Sequence, residues 1–206
     1  MQYFVWGIDA PDSKAQRAAI VEPHWAFIAR YDDRLIARGP VLDPENPKAV
    51  TGSIHIVELE DEAAARVFAY DEPFAQAGVF SEIVLMQFAL ELGRTQFEFK
   101  SNPDHPRFFI HCPAVKLGAD IPADLVAAHD AYCRDFDQYL VCKGSLLTLG
   151  SDWTGRVFFL EMPDRAAVDR FLVADPCALA GLYEAPRVHR WTMGGAANIK
   201  ASGLMK

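Results

Sequence analysis

The sequence predicts an α+β protein made of two tandem ferredoxin-like (βαββαβ) units packed sheet to sheet. Three observations predict it. The chain repeats itself at a displacement of just over a hundred residues. Each half runs through strand-type and helix-type patterns in the same order. The strands of both halves carry more apolar side chains than the helices of one unit can cover, Phe4, Trp6, Phe108, Ile110, Phe158 and Leu160 among them. Left exposed, that second sheet face would be a large sticky patch, and packing two sheets face to face removes it.

The repeat rests on residues with special backbone or chemical roles rather than on generic leucines. His24 and Gly39 recur as His129 and Gly144, displaced by 105 positions. Gly52, Glu72, Pro73 and Gly78 recur as Gly155, Asp175, Pro176 and Gly181, displaced by 103. The two-residue difference falls between Gly39 and Gly52, in a proline- and asparagine-rich stretch that reads as a loop, where length changes are tolerated. Elsewhere the repeat is divergent. Val67 and Phe68 pair with Arg170 and Phe171, one poor match and one good one.

In the first half, residues 2–8 (QYFVWGI) are aromatic and β-branched and predict a buried strand. Residues 12–31 place Ala15, Ala18, Ala19, Trp25, Ile28 and Ala29 at helical spacing, with Asp12 or Ser13 as N-cap and a kink or new helix start at Pro23. Residues 35–41 and 53–59 predict strands, the latter with Ile54 and Ile56 alternating against Ser53 and His55. Residues 61–70 predict a helix opened by acids that suit its dipole. Residues 73–78 predict a short helix ended by glycine, and 82–89 a fourth strand. The second half repeats this with strands at 107–112, 140–147, 157–161 and 188–193. Its helices are predicted at 123–137, 164–173 and 176–181. The domain organisation is therefore a first repeat over residues 1–92, a linker over 93–106, a second repeat over 107–195 and a tail over 196–206 that is predicted to fray.

Composition narrows the function classes. The chain has 206 residues, 51% of them hydrophobic, so it can bury a core without a disulfide or metal staple. Its 28 acidic and 20 basic side chains give a formal charge of −8, which argues against nucleic acid and anionic membranes as partners. No apolar run is long enough for a membrane span, and the start does not resemble a secretory signal, so a cytoplasmic protein is expected. The cysteines, Cys112, Cys133, Cys142 and Cys177, show neither zinc-finger nor disulfide-framework spacing and read as reduced, buried hydrophobes. No phosphate-binding glycine loop is present. No cofactor and no metal is expected.

The first half resembles the YCII-related domain. The likeness rests on His24 in EPHWAFIARY, Gly39-Pro40 ending the second strand, Thr51-Gly52-Ser53 opening the third, Glu72-Pro73-Phe74, and Ala77-Gly78-Val79-Phe80. The second half matches more weakly, through His129, Gly144, Gly155, Asp175-Pro176 and Ala180-Gly181. There Ser145 stands where the first half has Pro40, and Cys177 where it has Phe74. The resemblance implies an α/β barrel formed by a pair of ferredoxin-like units, here an intramolecular dimeric α/β barrel. It implies a histidine with a nearby acid as catalytic pair, in a family that includes a dehydrochlorinase of a chlorinated hydroxyhydroquinone. The departures imply that one of the two sites has lost that chemistry.

The candidate catalytic residues are accordingly His24 with Glu72, Asp71 being a spare acid, and His129 with Asp175. Histidine titrates near neutral pH, and a neighbouring carboxylate fixes its tautomer. The bland alternative is that the histidines cap helices and that the acids before proline open turns. His55 reads equally well as a pocket residue or an exposed strand residue. His111 and Cys112, adjacent in a strand, point to opposite faces and do not form a metal pair. The expected function is a small-molecule enzyme performing acid–base elimination or isomerisation on a small ring-containing substrate. The alternative is a non-catalytic small-ligand binding or regulatory protein, and a third reading is a cofactor-free or haem monooxygenase. The expected assembly is a monomer with an internal pseudo-dimer, or a homodimer of it.

Overall fold

The first repeat, in a computed structural model that describes residues 1–204, contains β1 (Gln2–Asp9), α1 (Lys14–Ala19), α2 (Val21–Ala29), β2 (Leu35–Leu42), β3 (Val50–Glu58), α3 (Glu62–Tyr70), α4 (Pro73–Gln76) and β4 (Phe80–Leu90). The second contains β5 (Arg107–Pro113), α5 (Ala123–Asp135), β6 (Leu140–Leu147), β7 (Trp153–Glu161), α6 (Arg165–Ala174), α7 (Pro176–Leu179) and β8 (Arg187–Trp191). A further helix, α8 (Ala196–Ser202), follows.

Each repeat is an antiparallel sheet in the order β4-β1-β3-β2 or β8-β5-β7-β6. The two sheets do more than stack. β4 pairs with β6 from Gln87↔Leu147 to Leu90↔Gly144, and β8 pairs with β2 through Val41↔Trp191 and Leu42↔Arg190. The result is one closed eight-stranded barrel, which has no free sheet edge. The pseudo-dimer is thus completed within one chain. The seven-residue loop between β2 and β3 and the five-residue loop between β6 and β7 account for the two-residue offset of the repeat.

The barrel interior is apolar: Phe4, Trp6, Ile36, Ile54, Ile56, Phe88, Phe109, Val141, Val157, Phe159 and Trp191 are buried together. A second layer packs between barrel and helices in each half. In the first it is built on Tyr3, Phe27, Val57 and Phe68, in the second on Phe108, Ile110, Phe158, Leu160 and Phe171. This corrects the assignment of faces in the second repeat. Phe108, Ile110, Phe158 and Leu160 lie under the helices, and Phe109 and Phe159 face the barrel interior. Strands buried on both faces lack apolar–polar alternation, so the run RFFIHC does not reveal which side is in.

Gly52 and Gly155 occupy matching positions where the chain passes close to a neighbouring strand. A Cβ at Gly52 would lie 2.5 Å from the Gly7 carbonyl oxygen, and one at Gly155 would lie 2.2 Å from that of Cys112. They are backbone devices, as strand glycines commonly are.

Three local features differ from expectation. The first helix breaks at Ile20, not at Pro23, which sits in the first turn of α2 where a missing N–H costs nothing. Ser13 stands at the α1 N-cap without a side-chain cap bond. The tail folds back as α8, with Ile199 only 5% exposed, because an apolar surface of the first repeat is there to cover. Positions 205–206 of that tail lie outside the described residues. The segment between the repeats is also tied down: Gln96 donates its backbone N–H to Ile36 O, and its side-chain oxygen accepts from Arg38 N. Among the described residues, no helix is long and apolar enough to cross a membrane.

Candidate active site

Glu72 shows how one residue serves both fold and site. It precedes Pro73, which opens α4 with its fixed φ, so the carboxylate is the N-cap of that helix. Oε1 accepts from Ala75 N at 3.0 Å and Oε2 from Phe74 N at 3.0 Å. Oε2 also accepts from His24 Nδ1 at 2.9 Å, with both residues buried. The turn reading and the site reading of the acid-proline pair therefore describe the same residue. Since a carboxylate only accepts, Nδ1 carries the proton and a neutral His24 presents Nε2 as its base. Phe74, close by in the chain, stacks on the His24 ring with centroids 4.0 Å apart and fixes the plane of the imidazole. Asp71 is exposed at the C-cap of α3 and is not part of the pair, a correction to its role as the spare acid.

His24 lies in the wall of a cavity of about 570 Å³. α1 and α2 form one side of this cavity, β2 and β3 its floor, and the Gly194–Gly195 segment with α8 the far side. The floor contributes His55, whose ring stands edge-on to His24 at 5.7 Å. Two arginines also line it. Arg17 donates from Nε to Asp9 at 2.8 Å and from Nη1 to Ser53 Oγ at 3.1 Å, and its guanidinium lies over the Phe74 ring. Arg38 donates from Nη1 to Asp32 at 2.6 Å.

Burial pulls the His24 pKa below the ordinary histidine value. The hydrogen bond to Glu72 opposes this, while the positive charges of Arg17 and Arg38 add to it. His55 is held well below that value, first by burial, then by His24, Arg38 and Arg17. Both imidazoles are therefore neutral at physiological pH, the form in which a histidine can accept a proton.

The profile of the YCII-related domain matches residues 1–89, nearly the whole first repeat. The protein YciI of Escherichia coli is 32% identical over 94 residues, covering 96% of that protein and 43% of this chain. The chain belongs to the YCII-related domain family. Among solved structures, chlorite dismutase from Candidatus Nitrospira defluvii superposes with a TM-score of 0.60 at 8% identity, covering 99% of this chain and 95% of that one. This is a likeness of fold, that of the dimeric α/β barrels. The 5-chloro-2-hydroxyhydroquinone dehydrochlorinase from Burkholderia phenoliruptrix, solved with 2,5-dihydroxybenzoquinone, is 26% identical. The match covers 41% of this chain and 90% of that one, with a TM-score of 0.39.

The second repeat keeps the pair but not the space. His129 Nδ1 donates to Asp175 Oδ1 at 2.7 Å, and the same oxygen caps α7 by accepting from Cys177 N at 2.9 Å. His129 is fully buried, and the volume beside it is filled. Arg156, at the position of Ser53, reaches Glu91 Oε1 at 3.0 Å and Tyr183 Oη at 2.9 Å. Lys143, at the position of Arg38, donates to Asp130 at 2.9 Å and Glu91 at 3.3 Å. Phe158 replaces His55, and Cys177 replaces Phe74. His129 also moves the other way in titration. Burial disfavours its charge, but hydrogen bonds with Asp175, Cys133 and Cys177 prevail and raise it to about 10. It is thus a charged, sealed group in this repeat.

His129, Asp175 and Cys177 place three buried ligand-type atoms within 4.8 Å of one another. The Arg156 guanidinium, 3.6 Å from Cys177 Sγ, already supplies the positive charge there. Sequence reasoning missed Arg17, Arg38 and the tail as parts of the first site, and left His55 undecided. The signal available was the set of positions at which the repeats disagree: Ser53 against Arg156, His55 against Phe158, Phe74 against Cys177.

Proposed function

We propose that the first repeat is the site of a small-molecule enzyme. In it, His24 Nε2 removes a proton from a small ring-containing substrate in an elimination or isomerisation. The observation that carries the reading is the buried 2.9 Å contact between His24 Nδ1 and Glu72 in the wall of an open cavity. Glu72 fixes the tautomer and stabilises the imidazolium that forms, Phe74 holds the ring plane, and burial keeps the resting imidazole neutral. In an elimination, the electrons of the broken C–H bond form the new double bond, and the leaving group departs with its own pair. His24 then returns its proton to that group or to solvent. In an isomerisation the same proton returns to a different carbon. None of these steps requires a redox cofactor. A largely apolar cavity with aromatic groups in its wall suits a flat ring. The second repeat serves as scaffold, and its Asp175–His129 pair holds α7 to α5.

The test is a panel of phenols, quinones, lactones and hydroxy acids, followed by thermal shift and by product formation for wild type, His24→Ala and His129→Ala. The expected result is turnover in wild type, loss in H24A and retention in H129A. Product formation unchanged in H24A refutes the reading. Ligand stabilisation without product in wild type replaces the enzyme by a ligand-binding protein with the same pocket.

A further inference from the structure

The two repeats differ at one place in a way that describes a ligand. At the second-repeat site the chain leaves β4 at Glu91, whose backbone N–H donates to the Lys143 carbonyl at 3.1 Å. Its carboxylate enters the space near His129. There it accepts from Ser145 Oγ at 2.7 Å, Arg156 Nη2 at 3.0 Å and Lys143 Nζ at 3.3 Å. At the first-repeat site the chain leaves β8 in the same manner. Gly194 N donates to the Arg38 carbonyl at 2.8 Å, the counterpart of the Glu91–Lys143 bond. The position of Glu91 is thus taken by a residue with no side chain. Nor does one fit, because a Cβ on Gly194 would lie 2.9 Å from Gly39 Cα. The carboxylate-binding space of the second repeat becomes, in the first, part of the cavity.

The cations remain. Four basic side chains line the cavity, Lys14, Arg17, Arg38 and Lys48, against two acids, Glu22 and Asp32, in a chain whose net charge is −8. Arg17 is held by Asp9 and Ser53. Arg38 is different. Its backbone is pinned on both sides, by Gln96 and by Gly194, and among the described residues its Nε has no partner. Its one carboxylate, Asp32, is 56% exposed, so water screens that pair and an arriving anion can exchange with it.

We propose that the first-repeat cavity takes a planar substrate bearing a carboxylate. Arg38 binds that group where the second repeat places its own Glu91. This deepens the proposed function and rests on it for the word substrate, but the binding claim is separate from the chemistry. Arg38 is a binding residue in this scheme, and His24 moves the proton. The carboxylate also offsets the positive field that lowers the basicity of His24 and His55, so ligand and base reinforce one another.

The test uses matched probes by calorimetry and thermal shift: benzoate against benzamide, and 2,5-dihydroxybenzoate against its methyl ester. Wild type is expected to bind the acids and not the neutral partners, with affinity falling as salt rises. Arg38→Gln should weaken the acids about 10- to 100-fold, the range for a charge-assisted bond. Asp32→Asn removes the exchangeable internal carboxylate from an exposed site and should tighten them. It also keeps the proposal testable if R38Q folds poorly. His24→Asn should lose turnover while holding the acids within a few-fold, which separates failure of the catalytic reading from failure of this one. Equal binding of benzamide, no binding of either acid, or unchanged affinity in both R38Q and D32N overturns the proposal.

Discussion

Replacing Glu72 by glutamine changes one oxygen to an amide and removes one charge at a point where three N–H groups converge. The donors are His24 Nδ1, Phe74 N and Ala75 N. The two on Oε2 can share the single oxygen of a glutamine. The amide NH₂ must then face Ala75 N, a donor against a donor. Losing the charged cap costs about 1 kcal/mol, and a buried unpaired donor adds about 1–3 kcal/mol. The sum, about 2–4 kcal/mol, lowers Tm by about 4–16 °C for a domain of this size. It does not unfold a protein whose total stability is about 5–15 kcal/mol. His24 loses the negative charge that opposes burial, so its pKa falls further and its strength as a base falls with it. Calorimetry gives the first number and ring-nitrogen NMR the second. Glu72→Asp is the rescue, because Asp175 caps α7 and holds His129 from the matching position. An E72Q protein with wild-type Tm and an unmoved His24 signal refutes the argument that this carboxylate joins cap and base.

The two histidines of the repeat should titrate in opposite directions. His24 should titrate below the ordinary histidine value, its neutral form carrying the proton on Nδ1, and His129 is still an imidazolium at pH 8. NMR showing both near the ordinary value contradicts this. Because His24 and His55 resist protonation only when folded, they remove stability as pH drops below about 6.5. His129 contributes stability that is complete below about 6.5 and fades as pH rises toward about 10. Urea titrations from pH 5 to 9 on wild type and His129→Asn separate the two slopes, and an unchanged alkaline slope in the variant defeats the assignment. Arg156→Met leaves Glu91 to Ser145 and Lys143 but takes the Tyr183 hydroxyl's partner, and should cost about 1–3 kcal/mol, with ligand binding in the first repeat intact. A neutral effect on Tm contradicts the sealed network. Burial raises the Cys112 and Cys142 thiols far above their ordinary range, and all four cysteines are buried. Native protein should resist iodoacetamide at pH 8 and expose four thiols only on unfolding. Rapid labelling of the native protein rules this out.

The duplication, the order of strands and helices, and the pairing of each histidine with the acid before proline are all legible in the amino-acid sequence. Local chemistry encodes them. Proline fixes the start of the short helix, the preceding acid caps it, and the histidine two helices earlier faces the same spot in both copies. The registers that place Gly39, Gly52 and their repeats are legible for a similar reason, since close backbone approach admits no other residue. Other features emerge only when the chain is folded. Closure of the barrel depends on edge pairing between β4 and β6 and between β8 and β2, contacts between residues far apart in sequence. Which face of β5 and β7 points inward is invisible where both faces are apolar. The asymmetry of the two sites is also a tertiary fact. It depends on Glu91 and Arg156 filling one space, and on Gly194 leaving the other open beneath α8. A side chain's neighbours across the barrel, not its own pattern along the chain, set whether a histidine with the same partner is a neutral base or a buried cation.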